Sequence, residues 1–74
     1  MGIVTIWYEN KKEKMKISYQ NGKKYGQETE WYIDGIKASE KNWKKGVPHG
    51  IWTAWNEDGS LNYERKYRNG KLIK

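Results

Sequence analysis

Residues 26–49 read Gly26-Gln27-Glu28-Thr29-Glu30-Trp31-Tyr32-Ile33-Asp34-Gly35-Ile36-Lys37-Ala38-Ser39-Glu40-Lys41-Asn42-Trp43-Lys44-Lys45-Gly46-Val47-Pro48-His49. Displaced by 24 residues, the chain falls on itself without a gap, and this stretch is the middle of three copies, 2–25, 26–49 and 50–74. Gly26 aligns with Gly2 and Gly50, Thr29 with Thr5 and Thr53, and Trp31 with Trp7 and Trp55. Asp34 aligns with Asn10 and Asp58, Trp43 with Tyr19 and Tyr67, and Gly46 with Gly22 and Gly70. A fixed period of this length marks an array of one supersecondary unit. The 74 residues are enough for one domain, 1–74, and no more.

Two turn signals per copy say what the unit is. The first is Ile33-Asp34-Gly35 or Glu57-Asp58-Gly59, and the second is Gln20-Asn21-Gly22 or Arg68-Asn69-Gly70. Asp-Gly and Asn-Gly supply the positive φ that tight hairpins need. A two-residue Asp34-Gly35 loop sets Trp31 opposite Ala38, whereas a three-residue loop with a glycine bulge sets Trp55 opposite Leu61 and Thr53 opposite Tyr63. The second choice groups the apolar residues and is the expected one. It predicts an all-β, single antiparallel meander of about six strands.

On that register one face carries Ile3, Thr5, Trp7, Met15, Ile17 and Tyr19, then Gln27, Thr29, Trp31, Ser39, Lys41 and Trp43, then Ile51, Thr53, Trp55, Tyr63, Arg65 and Tyr67. The expected repeat core is Trp7, Tyr19, Trp31, Trp43, Trp55 and Tyr67. The opposite face is polar except at Val4, Ile6, Tyr8 and Trp52, a candidate apolar contact. The first copy has Lys11 where the others have Gly35 and Gly59, so Asn10 or Lys11 must adopt the left-handed conformation.

Composition agrees with a thin sheet. Phe and Cys are absent, while five Trp and six Tyr supply the apolar area. Such side chains bury a large surface and keep a polar end. Without cysteine there is no disulfide and no thiolate metal site. The opening residues form no leader pattern and no run approaches the length of a spanning helix, which implies a cytoplasmic protein. The formal charge of +6 favours anionic partners.

The run Gly26-x-x-Thr29-x-Trp31-Tyr32-x-Asp34-Gly35, followed by Trp43-x-x-Gly46-x-x-His49-Gly50, resembles the bacterial variant of the MORN repeat. So does His49-Gly50-x-Trp52-Thr53-x-Trp55-x-x-Asp58-Gly59, continuing to Tyr67-x-Asn69-Gly70. The first copy departs from it at Lys11, and Tyr25 stands where the family often has His. The resemblance implies a single-layer hairpin array that serves as an interaction surface. It also implies inhibitor or antitoxin-like members that neutralise a protein partner, and relatives linked to acidic phospholipids. It implies no catalytic residues.

Nothing in the chain composes a reactive centre. His49 is the single histidine and lies in the column of Tyr25 and Ile73, so a structural role is expected. Glu28, Glu30 and Glu40 fall on a strand pair with lysines around them, and Ser18, Ser39 and Ser60 lack a partnering base. No enzyme activity, metal or cofactor is expected. The loops between copies carry Lys23, Lys24, Lys44, Lys45, Arg68 and Lys71, which the period sets along one edge. The loops within copies carry Glu9, Asp34, Glu57 and Asp58 on the other. The expected function is non-enzymatic protein–protein interaction, of inhibitor type, against a partner such as a nucleic-acid-handling enzyme. The alternative is direct binding of nucleic acid or an acidic membrane surface by the basic edge. A homodimer through the aromatic face is a further way to cover a sheet with no second layer.

Overall fold

Each within-copy turn is built by one side-chain acceptor and one left-handed residue. Asn10, Asp34 and Asp58 each accept, through Oδ1, the backbone N–H two residues on: Lys12 at 2.9 Å, Ile36 at 3.0 Å and Ser60 at 2.9 Å. This local hydrogen bond explains the Asx column of the repeat. Next comes the residue of positive φ, Lys11 at 71°, Gly35 at 95° and Gly59 at 89°. Tyr32 N–H donates to the Ile36 carbonyl at 2.8 Å and Gly35 N–H to the Tyr32 carbonyl at 2.9 Å, closing the expected three-residue loop. In the first copy Lys11, not Asn10, is left-handed, at a cost of about 1 kcal/mol. The between-copy turns are tighter. Asn21-Gly22, Lys45-Gly46 and Asn69-Gly70 all have positive φ at both residues, the mirror-image turn that suits strand twist.

The computed structural model describes residues 2–74. These turns join β1 (Gly2–Trp7), β2 (Glu13–Gln20), β3 (Lys23–Trp31), β4 (Lys37–Lys44), β5 (Val47–Pro48), β6 (Gly50–Trp55), β7 (Leu61–Arg68) and β8 (Lys71–Leu72). All pairings are antiparallel, in the order β1-β2-β3-β4-β6-β7-β8, with the short β5 also on β4. The six expected strands are the long ones, and β5 and β8 are two-residue returns after a tight turn. The body measures 35 × 29 × 9 Å, the thickness of one sheet, and there is no helix among the described residues.

The register departs from expectation beyond the loop. Trp55 does face Leu61, but the next pair is Ala54 with Tyr63, so Asn62 is an extra residue and Thr53 meets Glu64 rather than Tyr63. The same slip follows Trp31–Lys37, leaving Ala38 over, and Trp7–Glu13, leaving Lys14 over. A one-residue bulge turns every later side chain to the other face. The expected single aromatic face is therefore divided. One face, called here the packed face, joins Val4, Ile6, Trp52 and Ala54 to Met15, Ile17, Trp43, Tyr63 and Tyr67 through the cross-strand pairs. Trp7, Trp31 and Trp55 lie on the opposite, open face, so they do not share a core with Tyr19, Trp43 and Tyr67.

Burial follows the packed face. Ile17, Glu28, Ser39 and Ala54 are buried there, one on each central strand, and only Thr29 is buried on the open face. Trp52 sits between Trp43 and Tyr67 with ring centroids 4.9 and 5.0 Å away, in tilted contacts. Copies are fastened to one another by tyrosine. Tyr8 Oη donates to the Trp31 carbonyl at 2.7 Å, and Tyr32 Oη to the Trp55 carbonyl at 2.8 Å. The third copy has Asn56 in this column, and its Nδ2 turns back to Ser60 Oγ at 3.0 Å. At the start of β6 a Cβ on Gly50 would lie 3.2 Å from that of Asn42, with φ at 103°, which accounts for the glycine at this position.

Candidate binding surface

The between-copy turns do form a row. Gly46 N–H donates to the Lys24 carbonyl at 2.9 Å and Gly70 N–H to the Pro48 carbonyl at 2.8 Å, so each turn rests on the one before. Lys23, Lys44, Lys45, Arg68 and Lys71 are exposed along it. Lys23 and Lys45 flank an open cleft that Gln20, Asn21 and Tyr25 complete. Lys24 is different. Its Nζ lies 3.1 Å from Glu28 Oε1 and 4.5 Å from the Trp43 ring centre, so it is spent on the packed face. His49 belongs to the same row, where Nδ1 accepts the Asn69 N–H at 3.2 Å.

The candidate apolar contact divides in the same way. Tyr8 and Trp52 hold the sheet together, Tyr8 by its hydroxyl and Trp52 by its Nε1, which donates to the Asn42 carbonyl at 2.7 Å. Val4 and Ile6, 48% and 44% exposed, remain free on the first strand. The packed-face rings are also capped by cations. Lys41 Nζ stands 5.3 Å from Trp52 and the Arg65 guanidinium 4.2 Å from Tyr63. Trp43 Nε1 donates to Glu28 Oε1 at 3.0 Å. Little ring face or donor capacity is left over for a ligand.

The open face presents what sequence reasoning missed. Trp7, Trp31 and Trp55 occupy one column on alternate strands, a spacing of about 10 Å. Trp7 is 58% exposed and the other two are half-buried. Among the described residues no protein group accepts from their indole N–H, and no cation caps their rings. Thr5, Thr29 and Thr53 flank them two residues away on the same face, and Leu61, 59% exposed, extends the apolar surface beside Trp55. The repeat itself carried the signal, because a tryptophan column that neighbours cannot cover from one side must face outward somewhere.

Among the described residues no group of three or more His, Asp or Glu side chains is placed to hold a metal ion. No described helix is long and apolar enough to cross a membrane. Comparison with known proteins adds no relative. The chain matches no family model, no curated protein and no solved structure.

Proposed function

We propose that this chain is a non-enzymatic protein-binding module of the MORN-variant type, acting in the cytoplasm as an inhibitor or antitoxin-like protein. The observation that carries the reading is the row Trp7, Trp31 and Trp55 on a face with no second layer. Tryptophan dominates the binding energy of protein interfaces when it enters a desolvated pocket on a partner. Here three are offered on a rigid sheet, their indole N–H groups unspent, so little ordering cost accompanies binding. The basic turn row lies at one end of the same sheet and speeds the approach of a partner that presents an acidic face, such as a nucleic-acid-handling enzyme.

The basic cleft of Lys23, Tyr25 and Lys45 favours a second reading, direct binding of nucleic acid or an acidic headgroup. Salt separates the two. Affinity-purify partners with the wild-type chain and with a Trp7→Ala/Trp55→Ala variant, identify what the variant loses, and titrate the purified pair. A protein lost by the tryptophan variant and bound with a shallow salt dependence supports the reading. Retention of every partner by the variant, together with tight binding of single-stranded RNA or acidic vesicles that falls steeply with salt, overturns it.

A further inference from the structure

The two edges of the sheet are built differently. At the C-terminal edge β7 carries Glu64, Arg65, Lys66 and Arg68, and residues 73–74 return to it, with Ile73 N–H on the Lys66 carbonyl at 2.8 Å and Lys66 N–H on the Lys74 carbonyl at 3.0 Å. Such charge and cover blunt an edge against further pairing. At the other edge β1 reads Gly2-Ile3-Val4-Thr5-Ile6-Trp7, with no charge, no proline and no described strand beyond it. Ile3 is 66% exposed. An open edge of this kind is a template for another strand.

The repeat tells which backbone groups point outward. The carbonyls of Trp31, Trp55 and Ile51 all face the preceding copy, where they accept from Tyr8, Tyr32 and Asn42. Their first-copy equivalents are Trp7 and Ile3, and Thr5 lies between them in the same phase, as Thr53 does opposite Glu40. Tyr8, whose N–H and carbonyl bond to Lys12 and Lys11, points inward, as the alternation of an antiparallel ladder requires. The unpaired groups are therefore those of Ile3, Thr5 and Trp7.

We infer that β1 is a self-association site, at which a second copy of this chain pairs its own β1 antiparallel about a two-fold axis through Thr5. That register satisfies the ladder on both strands, because Thr5 meets Thr5 and Ile3 meets Trp7 of the second copy in hydrogen-bonded pairs. On the packed face it brings Val4 opposite Ile6, apolar against apolar. The axis stands normal to the sheet, so the two basic turn rows lie at opposite ends of the joined sheet and two chains of charge +6 meet where neither carries any. Head-to-tail stacking, the other way to fill β1, sets Arg65 in line with Val4 and lacks the fastening tyrosine, since Asn56 stands in its column. The dimer goes beyond the proposed partner surface, because the tryptophan row stays open in it.

Sedimentation equilibrium over a wide concentration range tests this. The wild-type chain should pass from 8.9 kDa to twice that mass. Thr5→Pro removes an outward N–H that the monomer does not use, as edge strands tolerate, and should raise the midpoint roughly tenfold or more with an unchanged circular dichroism spectrum. Val4→Lys/Ile6→Lys and Val4→Glu/Ile6→Glu should each be monomeric alone and dimerise when mixed, since every Lys then meets a Glu. This pair decides the matter if Thr5→Pro fails to fold. A wild-type chain that stays monomeric, a dimer indifferent to Thr5→Pro, open-ended polymers, or a charge mixture that stays monomeric would each overturn the inference.

Discussion

Glu28 is the most deeply buried charged group described, at 3% exposure, and Oε1 is shared by Lys24 Nζ at 3.1 Å and Trp43 Nε1 at 3.0 Å. Truncation to Ala leaves the Trp43 N–H without an acceptor, worth about 1–3 kcal/mol, and removes side-chain packing worth about 1 kcal/mol more. Lys24 adds no more than about 1 kcal/mol, because its side chain is about one-third exposed and turns to water. Glu28→Ala should therefore lose about 3 kcal/mol. Glu28→Gln keeps the shape and an acceptor for Trp43 and should lose about 1 kcal/mol. A domain of this size has about 4–11 kcal/mol in all, so the first variant approaches unfolding and the second does not. Urea denaturation followed by tryptophan fluorescence measures both, with a constant slope confirming comparison of like states. Lys24→Met should cost about 1 kcal/mol in the wild type and nothing in Glu28→Ala. Equal losses for the Gln and Ala variants, or a Lys24→Met effect independent of Glu28, would refute the shared-acceptor account.

Lys11→Gly should stabilise the chain by about 0.5–1 kcal/mol, because φ is 71° there, and an unchanged denaturation midpoint would contradict the strain. Tyr32→Phe should lose about 1 kcal/mol through the Trp55 carbonyl, whereas Tyr63→Phe, whose ring meets Arg65, should lose less; the two midpoints compared in urea decide it. Asp58 is held below the usual carboxylate pKa, first by the Ser60 hydroxyl and then by the Ser60 N–H. Its lowered folded value means that the turn gains stability above the ordinary carboxylate range and loses it as pH falls through the folded value. Ser60→Ala should move the Asp58 titration upward toward the ordinary range, read by NMR, and an unmoved titration would assign the effect elsewhere.

The turns were legible because their chemistry is written in residue types. Asp34-Gly35, Asp58-Gly59, Asn21-Gly22 and Asn69-Gly70 each announce a backbone conformation that few other pairs adopt, and the strands between them followed. The bulge at Lys14, Ala38 and Asn62 was not legible, since its extra residue needs no positive φ and asks for no glycine. Three unrelated residue types occupy the column. That one missed residue per hairpin moved Trp7, Trp31 and Trp55 from the expected core to the open face. Alternation within a strand was read correctly, and only the phase between paired strands was lost. The tyrosine fastening was equally hidden, because Tyr8 and Tyr32 act on carbonyls in the next copy.

The order of strands in the sheet follows their order in the chain, and no long strand skips over another. Every pairing is therefore closed by a loop of a few residues, which keeps the entropy of loop closure small and permits fast folding for an all-β chain. Each hairpin answers only to its neighbours, so opening should begin at the two ends and reach the middle last. In the monomer, at concentrations below self-association, amide exchange should be slowest across Lys16, Thr29 and Glu40, where β2, β3 and β4 meet, and fastest in β1 and β8. A partner gripping Trp7, Trp31 and Trp55 together would bridge all three hairpins. It would turn a chain that frays one hairpin at a time into one that opens all at once.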